Sequence, residues 1–449
     1  MIIIVDTNII ISACLDSKSD LYNLIASSFN KIGFVTSEFS LKEIITYQEN
    51  VCKKSRKNIT ILKTNLPATL NCINVLSDDK ITESDIENAK SFTRQIDIDD
   101  TIFIALLIGI TFIDLDGRQK VAPWLKKKKL HKYYFNKRTK RYYERFMIKT
   151  PPYLKKGDII GITCPAGYMA KEKAQTCIET LQQWGYQVMV GKTLGSNSAN
   201  YFSGTDEERL YELQAMLDDE SINAILCGRG GYGVSRIIDR LDFKKFKRKP
   251  KWIVGFSDIT VLHAHIYSNY KIASIHAPMA AAFNDGAAAN EFVVSLKKML
   301  AGKKNKYNCA AHLFNKKGTV AGELVGGNLS LLAHLTGTRS DINTKNKILF
   351  IEDIGEYIYG TDRMLYQLKR SGKLHSVAGL IIGGFTDMKD TDRPFGKTVY
   401  EAIQEIIKEY DYPVCFNFPV SHGKENFALK IGGTYELHVG KRKVLLSEK

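Results

Sequence analysis

The sequence predicts an α/β protein throughout, and three observations carry that prediction. Short β-branched runs alternate with helical stretches over residues 1–117 and again over 151–285, the rhythm of parallel sheets wrapped by helices. Glycine-rich turns join strand to helix, as in Cys227-Gly-Arg-Gly-Gly-Tyr-Gly233. From residue 319 the pattern becomes mixed, with the glycine pairs Gly326-Gly327, Gly383-Gly384 and Gly432-Gly433 separating strand-like runs. The expected order is a parallel α/β sheet, a doubly wound α/β subdomain, and a smaller mixed α/β subdomain at the C-terminal end.

Taken in order, residues 2–5 read as a buried strand, residues 33–36 as a second, and residues 110–113 as a last apolar strand before Asp114 and Asp116; the stretch from Ser40 and residues 100–110 read as helical. After Pro151-Pro-Tyr-Leu-Lys-Lys-Gly-Asp158, strands are expected at 159–163, 188–190, 223–227 and 252–254. Helices are expected at 172–184, 207–217, 234–241 and 259–267. Beyond 319, strands at 348–351 and 379–382 precede a hairpin-like pair, 427–431 with 434–439. The boundaries follow: 1–120, a linker 121–149, 150–285, a connecting segment 286–318, and 319–449.

The 449 residues are 44% hydrophobic and 10% aromatic, enough to build several cores and to exclude a mainly disordered chain. No apolar run reaches the roughly 18 residues that would span a bilayer. The eight cysteines include no Cys-x-x-Cys pair, and the opening Met1-Ile-Ile-Ile-Val-Asp6 lacks a cationic lead-in. A reducing cytoplasm and no membrane association are therefore expected. Of the net charge of +16, twelve lie between Arg118 and Thr150, where 13 Lys and Arg face Glu144 alone. Tyrosines interleave with these cations, notably Tyr133, Tyr134, Tyr142 and Tyr143. Residues 120–145 read either as a solvated basic spacer or as an RNA contact, since cations neutralise phosphates and tyrosines stack on bases. In either case the full chain is expected to bind polyanions with an affinity that falls as salt rises. Titration with single-stranded RNA at two ionic strengths checks this.

In the first segment Asp6 and Asp116 each follow a strand, Asp100 opens a helix, and Glu43 lies in a helical stretch. Strand ends of a parallel sheet converge on one edge, so such acids can meet there. Crowded carboxylates repel unless a hard cation joins them, which makes Mg²⁺ or Mn²⁺ the natural partner for attack on a phosphodiester. With Val5-Asp-Thr-Asn8, Glu43-Ile44, Asp97-Ile-Asp-Asp100 before Phe103-Ile-Ala-Leu106, and Ile113-Asp-Leu-Asp116, residues 1–120 resemble the PIN nuclease domain. The resemblance implies a metal-dependent ribonuclease fold with Asp6, Glu43, Asp100 and Asp116 as metal ligands. Asp97 and Asp99 compete with Asp100 for the third place. Past Asp116 the chain runs into the Lys/Tyr segment where such domains usually continue, so the domain is read as truncated.

In the second segment Gly228, Gly230 and Gly233 spell G-x-G-x-x-G, which suits a phosphate or an oxyanion. Gly255-Phe-Ser257-Asp-Ile-Thr260 lies between an apolar strand and a helix, where a serine can project as a nucleophile or merely cap the helix. A serine nucleophile needs a base and an orienting acid. His263, His265 and His422 are candidate bases, Glu352 and Glu356 candidate acids, and spacing alone does not choose among them. These stretches, with Thr150-Pro-Pro-Tyr-Leu-Lys-Lys-Gly-Asp158, Gly326-Gly-Asn-Leu329, Ile351-Glu-Asp-Ile-Gly-Glu356, Asp362-Arg-Met-Leu365 and Pro419-Val-Ser-His-Gly423, make residues 147–445 similar to the serine LD-carboxypeptidases of cytoplasmic murein recycling. The resemblance implies Ser257 as nucleophile, His422 as base, Glu352 as orienting acid, and the backbone N–H groups of Gly231 and Asp258 as oxyanion donors. It further implies no cofactor, a muropeptide substrate losing its terminal D-Ala, and a homodimer. A microcin-C-type immunity hydrolase of the same family and a ribonuclease dominated by the first segment are the alternatives.

Overall fold

A computed structural model describes residues 148–449 in full and, before them, the strands β1 (Ile2–Ile4), β2 (Gly33–Ser37) and β3 (Ile73–Leu76). The chain divides into two units, Met1–Tyr134 and Phe135–Lys449. In the first, β1, β2 and β3 form a parallel sheet in that order. The third strand falls in a stretch whose pattern reads as helical, because a four-residue apolar run carries too little periodicity to separate the two.

In the second unit β4 (Ile159–Thr163), β5 (Gln187–Val190), β6 (Ile222–Cys227), β7 (Trp252–Gly255) and β8 (Ser274–His276) are parallel neighbours in the order β8-β7-β6-β4-β5. Alternate residues feed two separate cores. Ala224 and Leu226 of β6 and Trp252 and Val254 of β7 pack on one face, Ile225, Cys227 and Ile253 on the other. A parallel sheet covered on both faces needs apolar residues at every position, which is why these strands read as unbroken hydrophobic runs. The intervening helix Asp206–Asp218 starts at a capping box, Thr205 with Glu208, and the helix Thr260–Tyr270 ends where Lys271 turns left-handed at φ 54°.

The segment expected to be a plain connection, 286–318, contains the helix Glu291–Leu300, capped by Asn290, and β9 (Lys306–Ala310). It leads into β10 (Gly318–Asn328), β11 (Ile348–Ile354), β12 (Gly379–Thr386) and β13 (Val414–Cys415). These four form the parallel half of a sheet ordered β13-β12-β11-β10-β15-β16-β9. The antiparallel half adds β15 (Thr434–Val439) and β16 (Lys443–Glu448). The expected hairpin of 427–431 with 434–439 does not form. Leu429–Ile431, as β14, pairs antiparallel with β8 of the other sheet, while β15 pairs with β10 and β16. All three β14 residues are buried, so the strand suits the edge of a covered sheet better than an exposed hairpin arm. Among the described residues no helix is long and apolar enough to cross a membrane.

Candidate active site

Neighbouring strands β6 and β7 release their chain at the same sheet edge, and both turns are unusual. After the fully buried β7, the backbone passes Phe256 and places Ser257 at φ 64°. A non-glycine residue held left-handed costs about 1–2 kcal/mol, and such strain at a strand-to-helix turn is how a serine hydroxyl is pushed clear of its own backbone. After β6, the glycine turn packs directly onto this elbow. A Cβ on Gly230 would lie 2.8 Å from Ser257 Cβ, 3.0 Å from its Oγ and 3.3 Å from Asp258 N. Only glycine allows that approach, and Gly231 beside it is left-handed at φ 98°.

Both turns are tied in place. The fully buried Arg209 guanidinium donates to the carbonyls of Pro165 (2.6 Å) and Gly233 (3.1 Å) and pairs with Asp206. The buried Asp258 carboxylate accepts the Val234 N–H at 2.8 Å, joining the residue after Ser257 to the end of the glycine turn. Burial pushes the Asp258 carboxyl up to about 6, against the pull of that hydrogen bond. Gly230→Ala is therefore expected to lower kcat/KM by about 10²-fold or more through displacement of the turn from Ser257. The accompanying stability loss should be about 1–3 kcal/mol, read by steady-state assay and thermal denaturation.

The other half of the site comes from the second sheet. Glu352 sits in β11 with no exposed surface, and its Oε2 lies 2.5 Å from His422 Nδ1. His422 belongs to a loop that Ser421 braces, its hydroxyl donating to Glu425 O (2.8 Å) and accepting from Gly423 N (3.0 Å). The His422 Nε2 is buried and makes no hydrogen bond to the protein. Burial pulls the imidazole down, but the hydrogen bond and charge of Glu352 outweigh it, so His422 titrates above the ordinary histidine value. Burial pushes the Glu352 carboxyl up.

Two contacts join the halves. The Phe256 ring lies 4.8 Å from the His422 ring, centre to centre. Asn328, the register partner of Glu352 in β10, donates its N–H to Thr260 Oγ1 at 3.1 Å, at the head of the helix that follows Ser257. Asn328 Nδ2 also donates to Asp353 Oδ1 (2.7 Å), and Asp353 Oδ2 accepts from the Ser330 hydroxyl (2.6 Å). Asn328 and Asp353 are thus braces that sequence reading did not single out, although both stand within motifs it quoted.

The remaining candidates lie elsewhere in this network. His263 Nε2 is bonded to the Gly255 carbonyl at 2.8 Å and His265 Nδ1 to Ser340 Oγ at 2.8 Å. Burial pulls each of them down to about 4. Glu356 reaches Ser330 Oγ at 3.4 Å rather than His422. Asp6, Glu43, Asp100 and Asp116, their rivals Asp97 and Asp99, and the basic segment 120–145 lie outside the described residues.

The span that carries these residues matches known proteins. The family model described as the LD-carboxypeptidase N-terminal domain matches residues 160–277, and that of the LD-carboxypeptidase C-terminal domain matches residues 321–437. The "probable murein peptide carboxypeptidase" of Bacillus subtilis (strain 168) is 34% identical over 301 residues, 66% of this chain and 93% of its own length. The chain belongs to the LD-carboxypeptidase family. The chain is also 29% identical to the murein tetrapeptide carboxypeptidase of Pseudomonas aeruginosa over 289 residues, 61% of this chain and 91% of that one. The crystal structure of muramoyltetrapeptide carboxypeptidase from Oxalobacter formigenes superposes with a TM-score of 0.59 at 29% identity, covering 65% of this chain and 98% of that chain. The microcin C7 self immunity protein in complex with aspartyl sulfamoyl adenosine shares the fold, with a TM-score of 0.59 at 23% identity over 67% of this chain and 98% of its own. Ahead of the LD-carboxypeptidase region, a PIN domain model matches residues 4–111.

Proposed function

We propose that residues 150–449 form a serine carboxypeptidase that hydrolyses the L,D-amide bond to the terminal D-Ala of muramoyl tetrapeptides. The observation that carries this reading is the buried Glu352–His422 bond, which engages Nδ1 and leaves Nε2 without a protein partner, on a ring packed against Phe256 next to the left-handed Ser257. Ser257 Oγ attacks the amide carbonyl while its proton passes to His422 Nε2. In this reading the oxyanion takes the N–H groups of Gly231 and Asp258, supported by the close packing of Gly230 against Ser257 and the Asp258 backbone nitrogen. His422 then gives its proton to the amine of departing D-Ala as the C–N bond breaks. Water, deprotonated by His422, attacks the acyl-enzyme, and the proton returns to Ser257 as the tripeptide leaves.

Cytoplasmic murein recycling and a homodimer belong to the same reading, through the family. The test is mass spectrometry of muramoyl-L-Ala-D-Glu-meso-diaminopimelate-D-Ala incubated with the full chain. Loss of one alanine, absent with Ser257→Ala, is the expected result. An intact tetrapeptide in the presence of folded protein overturns the reading.

A further inference from the structure

Beside the His422 loop lies a cavity of about 40 Å³, room for about three water-sized groups. Phe256, one residue before Ser257, and Gly423, one residue after His422, both line it. It therefore sits on the histidine side of the elbow, where a protonated amine would leave. Lys424 and Asn426 also line it. Asn426 is 4% exposed, and neither its Oδ1 nor its Nδ2 has a hydrogen-bond partner in the protein. His276 is close enough to be influenced by Asn426, yet the two do not reach hydrogen-bond geometry. A buried amide left without a protein partner costs free energy comparable to a lost hydrogen bond, and proteins keep such groups where a ligand completes them. The third polar side chain, Asn290, is already committed: its Oδ1 caps Phe292 N and its Nδ2 donates to Asp285 O. Asp285 is the acid among the lining residues, so an anion in this cavity takes the Lys424–Asn426 wall.

We infer that this cavity is the leaving-residue subsite, in which the Asn426 amide and the Lys424 ammonium hold the free C-terminal carboxylate of the substrate. The inference rests on the carboxypeptidase reading and names the groups that restrict it to a chain end. A carboxylate on an ammonium and an amide N–H gains charge-assisted hydrogen bonds, whereas a neutral C-terminal amide gains neither the charge nor the same acceptor. Lys424 and Asn426 thereby determine specificity and take no part in proton transfer.

The experiment compares the D-Ala-terminated tetrapeptide with the same peptide carrying a C-terminal carboxamide, for the full-length wild-type chain and for Lys424→Ala, Lys424→Arg and Asn426→Asp. Lys424 is exposed, so its replacement leaves folding intact. The expected result is a wild-type preference for the free acid that falls by about 10- to 100-fold in Lys424→Ala, mainly through KM, and returns in Lys424→Arg. Asn426→Asp, which places a second carboxylate against the ligand, should weaken the preference further. Unchanged preference in Lys424→Ala and in folded Asn426→Asp overturns the subsite and leaves the carboxypeptidase standing. Failure of the wild type to cleave either peptide overturns both.

Discussion

Replacing Ser257 with alanine is expected to lower kcat/KM by about 10⁴- to 10⁶-fold, because in the proposed mechanism the nucleophile, base and acid act as one unit. Liquid-chromatographic release of D-Ala reads this directly. A sharper version uses Ser257→Gly, since the position is left-handed at φ 64°. Glycine occupies that region without the Cβ clash that serine suffers, so the inactive variant should be more stable, by up to about 1 kcal/mol. Ser257→Ala keeps the Cβ and the strain and should show no such gain. Activity lost while stability rises would identify the left-handed serine as a feature retained for chemistry at the expense of the fold. A fall in thermal midpoint for Ser257→Gly, or retained activity in either variant, would contradict the assignment.

The parts of this site differ in how far the sequence alone exposes them. Ser257 is legible because an apolar strand, a glycine and a helix surround it, and that local grammar demands a turn. His422 and Glu352 are not, since each is one of several equivalent choices until tertiary contacts are known. His263 and His265 stand nearer to Ser257 in sequence, but the helix Thr260–Tyr270 turns both rings into the core. Resemblance to a family favours Glu352 over Glu356, and in the fold the first is buried in β11 against His422 Nδ1 while the second lies past the end of that strand and reaches Ser330. Strand partners are equally hidden. Leu429–Ile431 carries the right residues for a strand, yet nothing in three apolar-flanked positions reveals that its partner is Ser274–His276 rather than the segment five residues downstream. The Lys424–Asn426 cavity is the extreme case. A lysine and an asparagine near a histidine are unremarkable until Phe256, 170 residues earlier in the chain, is brought against them.

Glu352→Gln separates what the acid does from where it sits. Gln preserves the volume of a side chain with no exposed surface, so the fold should survive. Its amide nitrogen can donate to His422 Nδ1, which would fix the proton on Nε2, the atom that has to accept one from Ser257. The expected fall in kcat is about 10⁴-fold with KM little changed, the signature of an interaction made in the transition state. The pH profile adds a second readout with a definite sign. The proposed mechanism needs neutral His422, and in the wild type burial lowers its pKa while the bond and charge of Glu352 raise it more. The acid limb of kcat/KM should therefore have its midpoint above the ordinary imidazole value of about 6.5. Gln removes the two larger raising influences, keeps the burial and leaves only the weaker charge of Asp353 to oppose it, so the residual activity of the variant should titrate at a lower pH than the wild type. A drop in rate with an unmoved midpoint would mean that Glu352 only positions the ring. A moved midpoint with full rate would mean that its charge is felt but that tautomer control lies elsewhere.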